Sequence, residues 1–389
     1  MKKHWKITPV LALALSLVFA MAIPSFTVGY DTAKLNTAAN KMAVWLQKEL
    51  PVDDTDLEAD NDLDWAVIAF ARSGQNGYGS YMAHIKKVIE TNYAKLSLTD
   101  HARIALAAGA KSGTAIISGK DLLKAIAAWD FEKETMTGSI AYSLLALNAT
   151  DYPAAAQKEK LISLLKDAQR EDGSYNYLLK ADPANTYSLA GDVDSTAMVL
   201  TALAPYKTRD ALKPTVDKAL AYMKGKQLPS AGFDSWGAES ADSTAQTIIA
   251  LCSLGFDPLG SDYGKGTNNM LDALLAFQNE DGGIKGYDGK SNIMSTYQAL
   301  CAIGAYQRFA TGRSPLFVYA AETSTTAPPT TKPTTTAAWV DQTPPGDSEN
   351  PKIPNTGSGM AIFAALIPLL GASVLLFALK RKKEADGNA

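Results

Sequence analysis

The chain has 389 residues, of which 47% are apolar and 20% are charged, and its formal net charge is −3. This composition suits one large globular domain or two ordinary ones, and it excludes collagen-like, wholly disordered and polytopic membrane proteins. The charge becomes more negative when the lysine-rich ends are set aside, so the acidic body argues against nucleic acid as a partner.

Residues 1–22 have the three parts of a secretory signal peptide. Lys2, Lys3 and Lys6 precede a short apolar run, and Ala20 and Ala22 offer a small-residue cleavage site. The apolar run is short for a bilayer span, although a permanent N-terminal anchor is the alternative. The sequence therefore predicts an exported protein.

Apolar residues recur at helical spacing in twelve segments, which Gly, Pro, Asp and Asn separate. No segment has convincing strand alternation. The chain is therefore predicted to be all-α, with one domain over residues 32–315. The predicted helices cover residues 32–50, 61–73, 79–96, 98–110, 119–129, 137–149, 153–169, 193–205, 209–226, 241–254, 266–279 and 292–311.

Every second helix contains a nine-residue block that aligns with the blocks of its counterparts. The blocks begin at Asp62, Leu98, Ser139, Ser195, Ser243 and Ser295. Their eighth residue is always Ala, and the ninth is always large and apolar. Small residues allow neighbouring helices to approach closely. These six helices are predicted to form the inner ring of an α/α toroid of about six helix pairs, with the other six helices outside.

Three outer helices end in a glutamine that is followed by a glycine and an aromatic residue. The pairs are Gln169 with Tyr175, Gln227 with Phe233, and Gln278 with Tyr287. These turns resemble the Gln/Trp repeat of squalene and terpenoid cyclases and related prenyltransferase-type toroids. The resemblance implies that each glutamine and its aromatic partner brace the outer turns. A glutamine amide can satisfy backbone groups at a helix end.

The segment Asp192-Val193-Asp194-Ser195-Thr196-Ala197 is similar to the Asp-x-Asp-Asp-Thr-Ala motif of triterpene cyclases. The resemblance implies that Asp194 would be the acid that protonates the substrate, but Ser195 stands where the family has its third Asp. The tetrapeptide Asp-Ser-Thr-Ala also recurs from Asp242. A helix start with Asp or Ser as N-cap is therefore the simpler interpretation. We predict no catalytic residue and no terpene cyclase activity.

No metal or cofactor site is readable in the sequence. The protein prenyltransferases of this family bind zinc through Asp, Cys and His, but His84 and His101 have no nearby Cys. The acidic run over residues 53–64 does not follow the calcium-binding EF-hand pattern. Cys252 and Cys301 are predicted to be small buried residues, and a bridge between their adjacent inner helices is left open.

The fourth position of the aligned blocks carries the most varied side chains: Trp65, His101, Tyr142, Met198, Gln246 and Gln298. If all six inner helices run in one direction, these side chains stand near one mouth of the ring. Aromatic and amide groups together suit a polar small molecule or a glycan. The alternative for each residue is an ordinary packed or capping role.

Aspartates also gather at that mouth, because they begin the inner helices. They are Asp62, Asp64, Asp100, Asp192, Asp194 and Asp242. Several clustered carboxylates outweigh the partial positive charge of helix N-termini, so a neutral or cationic ligand is expected. Replacing Trp65 with Ala is expected to remove most affinity without changing the fold. The predicted ligand-binding residues are Trp65, His101, Tyr142, Asp194, Asp242, Gln246 and Gln298.

The C-terminal region has the order of a surface anchor. Residues 322–352 are rich in Thr and Pro and are predicted to form an extended, disordered linker. The pentapeptide Ile353-Pro354-Asn355-Thr356-Gly357 follows, and then come the apolar residues 360–379 and four basic residues from Lys380. This order resembles the cell-wall sorting signal of Gram-positive surface proteins, known as LPXTG, with Ile in place of the usual Leu.

The resemblance implies that a sortase cleaves after Thr356 and joins the chain to peptidoglycan. Residues 360–379 would then cross the membrane only transiently, with the basic tail in the cytoplasm. A single-pass tail anchor is the alternative. The mature protein is therefore expected outside the cell, attached to the cell wall.

Three functions are compatible with these features. The favoured one is a wall-displayed binding module, which resembles the helical domain of the cobalamin carriers of animals. The second is an extracellular carbohydrate-active hydrolase or lyase, because unrelated enzymes of this kind use α/α toroids with carboxylates at the mouth. The third is an inactive adhesin, spacer or degenerate cyclase-like protein. An enzyme would need two carboxyl groups facing each other about 5–10 Å apart.

Overall fold

The computed structural model describes residues 30–235 and 237–319. Within them, twelve α-helices alternate between an inner and an outer ring, and the even-numbered helices form the inner one. In chain order they are α1 (Thr32–Glu49), α2 (Asn61–Ser73), α3 (Tyr81–Asn92), α4 (Leu98–Ser112), α5 (Leu122–Ala127), α6 (Thr137–Ala149), α7 (Ala155–Asp167), α8 (Val193–Leu203), α9 (Lys213–Gly225), α10 (Ala241–Leu254), α11 (Met270–Leu275) and α12 (Ile293–Ala310).

The inner ring is closed. Each inner helix packs against the next one, and α12 packs against α2. The Ala at the eighth block position is buried in all six helices, with an exposed fraction of at most 4%. These small side chains allow the close helix contacts that closure requires. The predicted α/α toroid is confirmed.

Three short antiparallel hairpins correct the expectation that the chain has no strand. β1 (Ile116–Ile117) pairs with β2 (Lys120–Asp121), β3 (Phe233–Ser235) with β4 (Ala238–Ser240), and β5 (Ile284–Lys285) with β6 (Ser291–Asn292). Strands of two or three residues are too short to show apolar alternation in a sequence. The second and third hairpins lead directly into the inner helices α10 and α12.

The three glutamine turns connect neighbouring units of the ring. Each side-chain Nε2 donates one hydrogen bond within its own turn and one to a backbone carbonyl of the next unit. The acceptors are Gly173 (3.0 Å) and Thr215 (2.8 Å) for Gln169, Ala231 (3.1 Å) and Tyr263 (2.7 Å) for Gln227, and Gly282 (3.0 Å) and Ala38 (3.1 Å) for Gln278. Because Ala38 lies in α1, the last bond joins the end of the ring to its beginning.

The apolar partner of these turns is aromatic in two cases of three. Tyr175 and Phe233 are buried, and their backbone N–H groups donate to threonine hydroxyls of the next inner helix. In the third turn Ile284 makes the equivalent bond, whereas Tyr287 is 79% exposed. The assignment of Tyr287 was wrong because the apolar residue follows its glutamine by six positions in every turn, which selects Ile284.

Several sequence predictions concern residues outside the described part of the chain. They are the signal peptide over 1–22, the linker over 322–352 and the sorting signal over 353–389. Within residues 30–235 and 237–319, no helix is both long enough and apolar enough to span a bilayer. The chain stays packed on the toroid as far as Tyr319.

Candidate functional site

A small cavity lies at the centre of the inner ring. Five of the six fourth-position side chains line this central cavity: Trp65, Tyr142, Met198, Gln246 and Gln298. The volume open to the centre of a water molecule is about 20 Å³, and one water requires about 10–15 Å³ by that measure. The structure therefore brings these five residues together around a space of water size.

Side chains one helical turn further along the inner helices form a second layer of the cavity lining. Leu145, Thr201, Ile249 and Cys301 each follow a fourth-position residue by three places. Because residues i and i+3 share a helix face, this second layer could have been predicted from the block alignment. Tyr297 and Phe317 also line the cavity. Phe317 follows the last helix and belongs to no repeat, so no sequence signal indicates it.

His101 does not line the central cavity. Its side chain is buried and packs between Tyr93 and Trp129, with ring centroids 5.3 Å and 5.6 Å away. Its Nδ1 lies 2.8 Å from the carbonyl oxygen of Ser97. Tyr93 and Trp129 belong to outer segments of the fold, so His101 faces away from the centre of the ring.

Among the described residues, three buried polar atoms of side chains that line the central cavity have no hydrogen-bond partner. They are the hydroxyl of Tyr297, which is 1% exposed, and a donor–acceptor pair, Nε1 of Trp65 and Oε1 of Gln298, whose residues are each 6% exposed. A buried polar atom without a partner costs about 1–3 kcal/mol, and such atoms are uncommon in folded proteins. A water or a ligand group that both donates and accepts, such as a hydroxyl, matches this pair.

Asp194 and Asp242 lie in the first turns of α8 and α10. Asp192 and Ser240 are the N-caps of these helices, and their side chains accept from the backbone N–H groups of Ser195 (2.6 Å) and Ser243 (3.2 Å). The expectation that the Asp or Ser of Asp-Ser-Thr-Ala caps the helix was therefore wrong, because each helix begins earlier. Asp194 and Asp242 each keep a buried Oδ1 without a partner.

Burial raises the pKa values of the aspartates at this mouth. It raises the pKa of Asp62 to about 6 and that of Asp242 to about 7, and nearby negative charges, Asp60 and Asp194 respectively, add to the increase. The pKa values of the adjacent Asp192 and Asp194 are also raised, chiefly by burial. These groups therefore titrate close to neutral pH, and they define the acidic mouth: Asp62, Asp192, Asp194 and Asp242.

The other two expected aspartates are bound to an arginine that is not among the predicted site residues. Arg103 is buried, and its guanidinium donates to Asp64 (2.7 Å) and Asp100 (2.9 Å). The hydroxyl of Tyr81 donates to the other oxygen of Asp64 (2.7 Å). Arg103 is the only Lys or Arg in the six aligned blocks, and this was the signal that could have indicated a buried ionic partner. Asp64 and Asp100 therefore serve the fold.

The described residues contain neither a disulfide between the two cysteines nor a cluster of side chains that could hold a metal ion. Cys252 and Cys301 are free, buried thiols, so the bridge that the sequence left open is not formed. In residues 30–235 and 237–319, no group of three or more His, Cys, Asp and Glu side chains is arranged to hold a metal ion.

A larger cleft lies at the opposite end of the ring, where α6 and α8 end. This C-terminal cleft has a volume of about 720 Å³ by the same measure as the central cavity. Tyr152, Pro205 and Tyr206 contribute apolar area, and Lys158 and Arg209 are part of its charged rim. The sequence gives no indication of this cleft, because residues from between the repeats form most of it.

Replacing Asp242 with Asn should stabilise the protein at pH 8. The carboxyl has a raised pKa, so the folded state binds a proton that the unfolded state lacks between about pH 4 and pH 7. The free energy of unfolding therefore falls as pH rises through this window. Asn removes that loss, and we expect a gain of about 1–2 kcal/mol at pH 8 and little change at pH 4.

Urea unfolding of the wild type and Asp242→Asn at both pH values measures this effect. Asp210→Asn, at an exposed position, is the matched control and should change stability by less than about 0.5 kcal/mol. Equal destabilisation by Asp242→Asn at both pH values would contradict the account of the acidic mouth.

The sequence of the chain matches the model of a known protein family. The model of the prenyltransferase alpha-alpha toroid domain matches residues 32–254 and, in a second segment, residues 230–314. No curated protein matches the chain in sequence.

Three solved structures are similar to this chain. An ent-copalyl diphosphate synthase from Streptomyces platensis is 17% identical over 64% of this chain and 50% of its own, with a TM-score of 0.45. This chain thus spans about half the length of that synthase. The type II terpene cyclase MstE from Scytonema is 11% identical over 71% of this chain and 99% of its own, with a TM-score of 0.48.

An unsaturated glucuronyl hydrolase from Bacillus sp. GL1, responsible for the degradation of glycosaminoglycan, is the third. It is 13% identical over 74% of this chain and 99% of its own, with a TM-score of 0.50. At these identities the likeness concerns the fold alone.

Proposed function

We propose that this chain, which belongs to the prenyltransferase alpha-alpha toroid domain family, is an exported binding module that holds a small molecule or glycan at the acidic mouth of its ring. The observation that carries the proposal is the pair of buried, unpartnered atoms in the central cavity, Nε1 of Trp65 and Oε1 of Gln298. A ligand hydroxyl that completes their hydrogen bonds would take the place of the one water for which the central cavity has room.

The proposed ligand is neutral or cationic. The carboxyl groups of the acidic mouth repel anions when they are ionised, and they outweigh the partial positive charge of the helix N-termini. The central cavity admits one hydroxyl-sized group, which can accept from Nε1 of Trp65 and donate to Oε1 of Gln298. The rest of the ligand, including any cationic group, would lie in the mouth. For a cation, affinity should weaken from about pH 7 to pH 5, because carboxyl groups with pKa values of about 6–7 become protonated in that range.

A panel of glycans, corrinoids and polyamines, titrated by calorimetry, tests the proposal with Gln298→Leu. Leu keeps the bulk of the side chain but removes Oε1, so we expect about tenfold weaker binding together with unchanged or increased stability. The matched control is Gln307→Leu on the same helix, where the amide bonds Asn36 at the surface. A ligand that binds wild type and Gln298→Leu equally would show that the central cavity is not the site.

The proposal includes attachment to the cell wall. It is supported by the order of signal peptide, Thr/Pro-rich linker, pentapeptide, apolar stretch and basic tail in the sequence. A sortase and peptidoglycan would then be the partners of the C-terminal region. Release of the protein only after enzymatic digestion of the wall is the expected result, and release by detergent alone would contradict it.

A carbohydrate-active hydrolase is the second candidate, and the raised pKa of Asp242 favours it. A carboxylic acid with a pKa of about 7 is protonated often enough near neutral pH to act as a general acid. The solved glucuronyl hydrolase has the same fold. Incubation with unsaturated glucuronides distinguishes the candidates: a product that Asp242→Asn abolishes would establish the enzyme, whereas binding without turnover supports the module. A degenerate cyclase-like protein would show neither.

A further inference from the structure

The segment that follows α12 returns across the C-terminal end of the ring. Residues 314–319, here called the closing segment, pack against the inner helices. Phe317 in this segment is 8% exposed. It lines the central cavity on one side and the C-terminal cleft on the other, and among the described residues only Leu145 and Thr201 also line both spaces. Phe317 is therefore part of the wall between the two spaces.

Hydrogen bonds from three separate elements fix the closing segment. The guanidinium of Arg72, at the end of α2, donates to the carbonyl oxygens of Leu316 (2.8 Å), Pro315 (3.1 Å) and Val318 (2.9 Å). Arg308 of α12 donates to the carbonyl of Ser314 (2.7 Å), and the backbone N–H of Tyr319 donates to the carbonyl of Ala149 (2.7 Å). The backbone on both sides of Phe317 is thus held firmly.

The ring of Phe317 reaches the residue on which the proposed function depends. It meets Trp65 edge to face, with ring centroids 6.2 Å apart and planes at 81°. Trp65 also contacts Tyr142, with centroids 4.9 Å apart. The three rings fill the space below the mouth, and this filling explains why the central cavity is only of water size.

We infer that Phe317 is a specificity-determining residue, which limits how deeply a ligand can enter the ring. With Phe317 present, the central cavity admits a single hydroxyl-sized group. Without its ring, the central cavity would open into the C-terminal cleft, and a ligand with a phenyl-sized or larger apolar group could enter. An apolar cavity of about 150 Å³ is enough to bind benzene. The meaning of this limit for a natural ligand rests on the proposed function.

Two cysteines provide a test that needs no knowledge of the natural ligand. Cys301 lines the central cavity, whereas Cys252 lines neither the cavity nor the cleft, and both are at most 5% exposed. In Phe317→Ala, we expect methyl methanethiosulfonate to modify Cys301 at least about tenfold faster than in the wild type, because the reagent can reach it through the cleft. Modification of Cys252 should keep its wild-type rate. Peptide mass spectrometry measures both rates in one sample.

Two further variants separate an opened passage from a loosened fold. Leu316→Ala is the matched control, since Leu316 is buried in the same segment but lines neither space. It should leave both rates unchanged. Phe317→Leu keeps part of the apolar bulk and should give an intermediate rate at Cys301. Unchanged Cys301 modification in both Phe317 variants, or equal acceleration at Cys252, would overturn the inference.

A second measurement reports directly on the size limit. Indole should bind to Phe317→Ala and not to the wild type or to Leu316→Ala, as followed by ligand-observed NMR. Equal binding of indole to all three proteins would overturn the inference. Neither this measurement nor the cysteine test uses the ligand panel. A negative result with Gln298→Leu would therefore count against the proposed function, whereas these two tests decide separately whether Phe317 closes the passage between the central cavity and the C-terminal cleft.

Discussion

Replacing Arg103 with Met should destabilise the protein by about 3–5 kcal/mol at pH 8. Arg103 and Asp64 are 2% and 1% exposed, and the 2.7 Å bond between them lies inside the inner ring. Met fills similar space but leaves the carboxylate of Asp64 without a cationic partner. Burial already raises the pKa of Asp64 to about 6, so protonation at pH 5 should reduce the loss in the variant.

Urea unfolding of Arg103→Met at pH 5 and pH 8 measures this effect. The control is Arg209→Met, which removes an ion pair of the same length to Glu159 where both side chains are about half exposed. That exposed pair should contribute less than about 1 kcal/mol. Adding Asp64→Asn to Arg103→Met should recover part of the loss at pH 8. Equal small losses in the two single variants would show that the buried pair does not stabilise the ring.

Replacing Trp65 with Ala should both remove ligand binding and destabilise the fold by about 3–5 kcal/mol. The sequence alone predicts no change in the fold, because the block alignment places Trp65 at the mouth of the ring. The structure corrects this expectation: Trp65 is 6% exposed and packs against Tyr142 and Phe317. Loss of binding in Trp65→Ala would therefore be ambiguous without a milder variant.

Trp65→Phe is that variant, because it keeps an aromatic ring and removes the Nε1 donor. We expect a stability change below about 1.5 kcal/mol and about tenfold weaker binding of a ligand that accepts from Nε1. Thermal unfolding and calorimetric titration of Trp65→Phe and Trp65→Ala separate the two contributions. Wild-type affinity in Trp65→Phe would exclude a direct hydrogen bond from Trp65 to the ligand.

The sequence was sufficient to predict the toroid, because the repeat carries the fold. The invariant Ala at the eighth block position marks the inner helices, and alternation of inner and outer helices leaves one closed arrangement. The same alignment predicts that Trp65, Tyr142, Gln246 and Gln298 share one layer. It fails for His101, since α4 packs that side chain against the outer residues Tyr93 and Trp129.

The block alignment could not predict features that depend on residues outside the repeat. Phe317 enters the ring from beyond the last helix, and no periodic pattern links it to Trp65. The C-terminal cleft is formed largely by connecting segments, whose positions depend on tertiary packing. The pairing of Arg103 with Asp64 joins the sixth position of one block to the third position of another, so the alignment does not bring these two residues together. Spacing alone would have selected Ile284 instead of Tyr287, had the turns been aligned on their glutamines.

Native mass spectrometry shows whether the mouth and central cavity hold a small neutral or cationic ligand, provided that the protein is isolated without denaturation from the cells that make it. We expect a wild-type mass that exceeds the processed chain by one small molecule, and a Gln298→Leu variant without that excess. A bare wild-type chain that also binds nothing in the ligand panel, or an identical excess mass in wild type and Gln298→Leu, would contradict this expectation.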